Sequence, residues 1–258
     1  MRSKLHSLYW FFSSQFGLNP RYLIYSILGL PRYARDLFKF RKQYQGKMEI
    51  MPCLHDWFEE GGSTKTEYFW QDLYIAQKIN HANPSKHVDI GSRVDGFVAH
   101  VASFREIEVF DIRQITSEIP NITFKQADLM NPIIDYIDYS DSLSCLHALE
   151  HFGLGRYGDE INVDGYKLGL VNMTKILKKD GIFYLSTPVG IEKVAFNAHR
   201  IFNPVELKLI LNDIGFQLTE FAWFGHNNKI IKSLDIDADL IKLSQQSYSL
   251  GIFTFVKK

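Results

Sequence analysis

The chain has little cysteine, no long hydrophobic run and no overall surplus of charge, and each shortage excludes a class of protein. Its 258 residues include two cysteines, Cys53 and Cys145. Two are too few for a disulfide framework, and Cys145 falls in an apolar segment that reads as a buried strand, so a reduced, cytoplasmic setting is the simpler expectation. The best apolar run, Tyr22 to Leu30, is about half the length a bilayer-spanning helix needs. The stretch after Arg2 and Lys4 is interrupted by Ser13 and Ser14 and offers no small-residue cleavage site, so no secretory signal is expected. Low-complexity tracts and internal repeats are also missing. With 46% apolar and 22% charged residues, the composition is that of a globular chain able to bury a sizeable core.

The charge balance, 29 basic against 29 acidic residues, hides an uneven distribution. Residues 1–48 hold nine Lys/Arg (Arg2, Lys4, Arg21, Arg32, Arg35, Lys39, Arg41, Lys42, Lys47) against Asp36 alone, about +8, which leaves about −8 for the rest. A net-acidic remainder without an Asn-Pro-Pro-Tyr-like base-flipping string argues against a nucleic-acid substrate. The basic segment is also dense in Leu8, Tyr9, Trp10, Phe11, Phe12, Phe16, Tyr22, Leu23 and Ile24, and it reads as two or three helices. Residues 1–60 are therefore expected to be a helical extension and residues 61–258 the main domain. The extension can be a cap with a solvated basic face, a peripheral anchor on the anionic inner face of a membrane through residues 1–48, or a rim for an acidic acceptor.

The informative stretch of the main domain is His87-Val88-Asp89-Ile90-Gly91-Ser92-Arg93, followed by Glu108-Val109-Phe110-Asp111. A strand, a tight glycine turn, a helix and a second strand ending in an acid form a nucleotide-binding unit. Gly91 permits a sharp turn and close backbone approach, and Asp111 can accept hydrogen bonds from both ribose hydroxyls. Asp89 and Asp111 are 22 residues apart, near the roughly 20 this unit expects. A dinucleotide is disfavoured, because Arg93 and Val94 stand where G-x-G-x-x-G needs glycine and Gly96 comes later. Asp89 would repel a pyrophosphate but attract a cationic amino-acid end.

Further strands follow at Ile122–Leu129, closing on Asp128, at Asp141–His147, and at Asp180–Pro188 after a helix that runs to about Lys179. Alternating strands and helices demand a mostly parallel sheet covered on both faces. Asn203-Pro204-Val205-Glu206 starts another helix with an N-cap, an N1 proline and an N3 acid, Gly215 stops it, and two strands follow near Gln217–Phe224 and Gly251–Val256.

The glycine turn resembles motif I of the class I S-adenosylmethionine-dependent methyltransferases, D-x-G-x-G-x-G, with Arg93 in place of the second glycine. Longer strings, Tyr68-Phe69-Trp70-Gln71-Asp72-Leu73, His87 to Phe97, Leu146 to Asp159 and Phe196-Asn197-Ala198-His199-Arg200, resemble the signature blocks of an uncharacterised methyltransferase-like family. The resemblance implies a Rossmann-like α/β fold over about Tyr68 to Lys258, with a seven-stranded, mostly parallel sheet and a C-terminal antiparallel hairpin. It implies an S-adenosylmethionine site drawn from Asp89, Gly91, Ser92, Arg93, Asp95, Asp111, Ile112, Asp128, Leu129 and His147, with Asp128 toward the adenine amino group. Arg93 can pair with the cofactor carboxylate or with Asp95. Some relatives sit among genes for bacterial surface polysaccharides, which supports a sugar-related acceptor; a small-molecule or glycan-related acceptor is expected, with methylation on oxygen.

Methyl transfer is an in-line displacement, so the protein must align the reactants and remove a proton from a hydroxyl acceptor. The base is expected after strand four, where His151 is the first candidate and Glu150 the second. Arg156 and Tyr157, in a loop punctuated by Gly153, Gly155 and Gly158, and His199 and Arg200 after strand five, are candidates to bind the acceptor; Arg200 can instead pair with Glu206. Two alternatives stand beside this reading. His147-Ala148-Leu149-Glu150-His151 is literally H-x-x-E-H, a zinc motif if both histidines share a continuous helix. A binding protein that keeps the fold without turnover also fits, since a motif glycine is replaced.

Overall fold

The computed structural model describes residues 4–225 and 227–258, with the backbone alone for residues 4–8 and 10. Arg2 therefore lies outside the described residues, as do the side chains of Lys4, Leu8 and Trp10. Two compact units divide the chain, Met1–Ser63 and Thr64–Lys258.

The first unit contains helices α1 (Lys4–Phe16) and α2 (Pro20–Gln43). Asn19 caps α2, its side chain accepting from the Arg21 amide, and Pro20 starts the helix where its missing N–H costs nothing. The returning segment crosses α2 at Gly29, where a Cβ would lie 2.1 Å from the Leu54 carbonyl oxygen. Tyr22 stacks on His55 and Tyr25 on Phe58 beside that crossing. No helix among the described residues is long and apolar enough to cross a membrane.

The second unit opens with α3 (Glu67–Ala82), then β1 (His87–Ile90), an irregular helical turn (Val94–Val98) running into the short α4 (Ala99–Ala102), β2 (Ile107–Asp111), β3 (Ile122–Gln126) and β4 (Ser140–Leu146). There follow α5 (Gly165–Ile176), β5 (Leu177–Val189), a two-stranded ribbon β6 (Lys193–Ala195) and β7 (His199–Ile201), α6 (Pro204–Asp213), β8 (Phe216–Gly225), β9 (Lys229–Lys232), α7 (Ile236–Ser244) and β10 (Ser249–Lys257). The main sheet runs β3-β2-β1-β4-β5-β10-β8-β9. The first five strands of that order are parallel, and β10 enters antiparallel to both β5 and β8.

Four expectations need correction. The sheet has eight strands rather than seven, because Lys229–Lys232 folds back on the far edge of β8. The closing strands do pair antiparallel, but β9 and α7 intervene, so they form no simple hairpin. Helices also fail to alternate throughout: residues 112–121 join β2 to β3 without a helix, and a single turn (Ile134–Tyr136) stands before β4. The helix expected to reach Lys179 ends at Ile176, and Asp180 takes a left-handed φ of 62° inside β5.

Strand alternation divides the core. Val88, Ile90, Leu143 and Cys145 face a cluster with Leu170 and Met173 of α5 and Leu207 of α6. On the opposite face Ile75 and Ile79 of α3 and Val101 of α4 pack on Val109, Tyr184 and Ile252. The intervening residues of the central strands, His87, Asp89, Ser142 and Ser144, are polar yet buried, and such groups need internal partners.

Candidate active site

Those partners form a ladder across β1 and β4. His87 Nδ1 meets the Ser142 hydroxyl at 2.8 Å and its Nε2 meets Ser144 Oγ at 3.1 Å. Ser144 donates to Asp89 Oδ1 at 2.5 Å, and Ser92 donates its hydroxyl to Oδ1 and its amide to Oδ2 of the same carboxylate. Since the Ser144 proton goes to Asp89, His87 Nε2 carries a hydrogen and Nδ1 accepts from Ser142. Burial pushes Asp89 up to about 7 despite the serine hydrogen bonds, and burial pushes His87 down to about 3. Asp89 is thus turned inward, holding the loop at Ser92; the direct attraction to a cationic ligand expected of it gives way to this internal role.

Gly91 follows with φ 71° and its amide on the Phe110 carbonyl. A Cβ there would come within 3.0 Å of the Ala148 methyl, which brings the loops after β1 and β4 into contact. Arg93 pairs with Asp95 at 3.0 and 2.6 Å on the exposed rim, one of the two partners expected for it. Gly96 has a different reason to be glycine: a Cβ would lie 2.7 Å from the Asp72 carboxylate of α3.

At the end of β2, Asp111 is 7% exposed and both its oxygens are held by Arg113. Oδ1 accepts from the Arg113 amide at 2.8 Å and from Nε at 3.0 Å, and Oδ2 accepts from the guanidinium at 2.6 Å. Arg113 lies 4.3 Å over the Tyr157 ring. After β3, Asp128 accepts from the Met130 amide and the Asn131 side chain, both at 2.9 Å. Buried Asn172 ties down the Leu129 carbonyl at 2.8 Å, while the Leu129 side chain joins the core. The Ile112 carbonyl accepts from Gln126. A glycine turn in close approach, a vicinal-diol acceptor at Asp111 and an acid at Asp128 fit a nucleoside without a pyrophosphate.

Beyond β4 the chain turns through His147, whose φ is 52°, into the helical turn Leu149–His151. A left-handed histidine costs free energy and persists where its surroundings hold it. Here Glu150, 1% exposed, meets His147 Nδ1 at 2.8 Å, and the Thr187 hydroxyl donates to its other oxygen. Tyr68 lies tilted against the imidazole with ring centroids 4.4 Å apart, and Glu67, which accepts from the Tyr248 hydroxyl, stands 3.6 Å from His147 Nε2. Burial would lower the His147 pKa, but the Glu150 charge and hydrogen bond with Glu67 nearby raise it; burial would raise Glu150, but His147 holds it low. Each of the two therefore favours the charged form of the other. His151 differs. Its Nδ1 lies 2.7 Å from the Ala198 carbonyl, which can accept but not donate, so Nδ1 carries the hydrogen and Nε2 the lone pair. Burial, with Arg156 close by, lowers its pKa and keeps it neutral.

Arg156 donates to the same Ala198 carbonyl at 2.8 Å, and Tyr157 packs edge-on to His151 at 5.4 Å. Glu150, His151, Arg156 and Tyr157 are therefore gathered, with Ala198 joining them. His199 stands at the start of β7. Arg200 does not join the group. It is buried, donates to the Phe152 carbonyl and approaches those of Asn162 and Val163, and lies over Tyr166, so it fastens the 152–164 loop instead of pairing with Glu206. The helix needed for a shared zinc is not formed, since His147 precedes the turn and spends Nδ1 on Glu150. Among the described residues no group of three His, Cys, Asp or Glu could hold a metal.

Residues 98–256 match the family model described as Caenorhabditis protein of unknown function, DUF268. The chain belongs to this family. Among curated proteins none matches the DUF268 chain. Among solved structures it is similar to the N-methyltransferase NodS from Bradyrhizobium japonicum WM9 in complex with S-adenosyl-L-homocysteine, with TM-score 0.50 and 14% identity over 78% of this chain and 91% of that one. It is also similar to a TehB-like SAM-dependent methyltransferase from Corynebacterium glutamicum, with TM-score 0.49 and 16% identity over 73% and 88% of the two chains. The strand order β3-β2-β1-β4-β5-β10-β8 and the NodS likeness give the DUF268 protein the Rossmann-like fold of the class I methyltransferases.

Sequence reasoning passed over Arg113, Glu67, Tyr248, Ser144 and Thr187. Arg113 alone left a local signal, a cation two residues beyond the strand-ending acid.

Proposed function

We propose that this DUF268 protein is an S-adenosylmethionine-dependent methyltransferase acting on oxygen in a small polar, sugar-related acceptor. The observation that carries the reading is the ligand edge of the sheet, where the Gly91 turn, Asp111 and Asp128 succeed one another at the ends of β1, β2 and β3. S-adenosylmethionine supplies the methyl group when bound. Asp111 would take the ribose hydroxyls and Asp128 the adenine amino group, while Asp89 and Ser92 keep the turn in shape and the Arg93–Asp95 pair forms its rim. His151 Nε2 would accept the acceptor proton, with Glu150 between the two histidines stabilising the charge that develops. Arg156, Tyr157 and His199 would border the acceptor. Residues 1–48 would bring the fold to the membrane surface where the acceptor is met, carrying no chemistry.

Calorimetry with S-adenosylmethionine, S-adenosylhomocysteine and NAD tests the core of this reading. Micromolar binding of the first two is expected, and binding of NAD alone would sink it.

A further inference from the structure

Helix α2 has two unlike faces. Gly29 is its buried residue, and the side it shares with Tyr22, Tyr25 and Arg32 packs on the segment 54–58, Tyr22 staying half exposed and Arg32 lying 4.3 Å over Trp57. At 100° per residue the opposite side carries Leu23, Ile24, Ile27 and Phe38, with Leu28 at its margin. These five are 65%, 55%, 57%, 63% and 59% exposed. A row of large apolar side chains left in water along one helix marks an interaction surface.

The charges say what covers it. Over its 24 residues α2 holds Arg21, Arg32, Arg35, Lys39, Arg41 and Lys42 against Asp36, which Arg35 pairs at 3.0 Å. The second half of the helix is thus cationic beside the apolar row. Phe38 itself lies under the Lys42 ammonium at 4.4 Å, so apolar and basic groups share one strip. A helix with an apolar face and a strongly cationic remainder, too polar to cross a bilayer, suits the interface of an anionic membrane, where rings and aliphatic chains enter the acyl boundary and ammonium groups stay among the headgroups. A protein partner would more often bury such a row against a matching apolar groove and leave the cations without a counterpart.

We infer that α2 docks the protein flat on a membrane containing anionic phospholipid, through Leu23, Ile24, Ile27, Leu28 and Phe38, with Lys39, Arg41 and Lys42 on the headgroups. The inference deepens the delivery role proposed for residues 1–48 and rests on it, not on methyl transfer.

Flotation of the full-length protein with phosphatidylcholine–phosphatidylserine vesicles and with pure phosphatidylcholine vesicles decides it, at about 0.05 M and about 0.5 M salt so that screening is varied. Binding to the anionic vesicles at low salt, reduced at least about tenfold by salt, is expected. Ile24→Glu with Ile27→Glu, both at exposed positions, should abolish it, and Lys39→Gln with Arg41→Gln should weaken it; circular dichroism checks that the helices persist. Equal binding to neutral vesicles, or no response to either pair, overturns the anionic face. Protein that stays unbound everywhere, or that self-associates without floating, overturns the delivery role too. Binding of S-adenosylhomocysteine by the same preparation is scored separately, so failure here is distinguishable from failure of the methyltransferase reading.

Discussion

Arg113→Ala should lower the stability of the protein and raise its affinity for the cofactor, and the two effects should be of similar size. In the folded protein Arg113 donates two side-chain hydrogen bonds to Asp111, at 3.0 and 2.6 Å, while its backbone amide donates a third that any residue would keep. Hydrogen bonds to a charged group contribute about 1.5–3 kcal/mol each when buried. Asp111 is nearly buried, but the Arg113 side chain is 46% exposed and screened by water, so the two bonds together are discounted to about 2 kcal/mol. For a unit of this size that is a fall in Tm of about 4–8 °C. A ribose needs the same two oxygens. If the ribose sits on Asp111, in the natural protein its hydroxyls would replace the guanidinium and gain little, and in Arg113→Ala they would find a carboxylate short of donors. The same 2 kcal/mol then reappears as binding, about 30-fold in Kd. Calorimetry with adenosine and S-adenosylhomocysteine should show this gain, 2′,3′-dideoxyadenosine should not, and saturating ligand should bring the melting temperatures of the two proteins together. Weaker binding by Arg113→Ala, or an equal response to the dideoxy compound, would refute the competition between Arg113 and the ribose.

The buried ladder predicts two opposed pH dependences. His87 titrates near 3 when folded and near 6.5 when unfolded, so the unfolded chain takes the proton first and stability is lost as pH falls from 6.5. Asp89 titrates near 7 when folded against 3.8 unfolded, so the folded form keeps its proton longer and stability is gained over the same fall. Each slope is about 1.4 kcal/mol per pH unit, so they offset one another between about pH 4 and 6.5. Asp89→Asn should therefore make the protein acid-labile and His87→Gln should make it more stable in acid, as read from urea midpoints at pH 7 and 5; parallel profiles for the two variants would show the ladder does not titrate as described. For the base, His151→Ala should cut turnover of an acceptor about 10²-fold or more while S-adenosylhomocysteine affinity stays nearly constant. If His151 is the base, activity of the natural protein should rise with pH through a pKa below 6.5, because burial lowers that of His151; a variant with full turnover removes His151 from the chemistry.

What the sequence determined by itself is local. Apolar runs ending in Asp89 and Asp111, the glycine after the first, the Asn203-Pro204 helix start and the Gly215 stop are each written in a few neighbouring residues, because strand pairing period, turn stereochemistry and capping act over that distance. The charge split and the apolar row of α2 are equally linear. Tertiary structure alone decided who meets whom. Glu67 comes up to His147 and Tyr248, from the other end of the unit, donates to Glu67, the Ala198 carbonyl fixes the tautomer of His151, and Arg200 is spent on loop carbonyls instead of an acceptor. The edge strand β9 and the helix-free passage from β2 to β3 were likewise beyond reach, since both depend on whether a neighbouring surface remains to be covered. Even Arg113, two residues from Asp111, takes its meaning from the path of the 152–164 loop that sets Tyr157 beneath it. Side-chain chemistry is inherited from the residue, but the partner that sets its charge and direction is chosen by packing, and packing is not periodic in the chain.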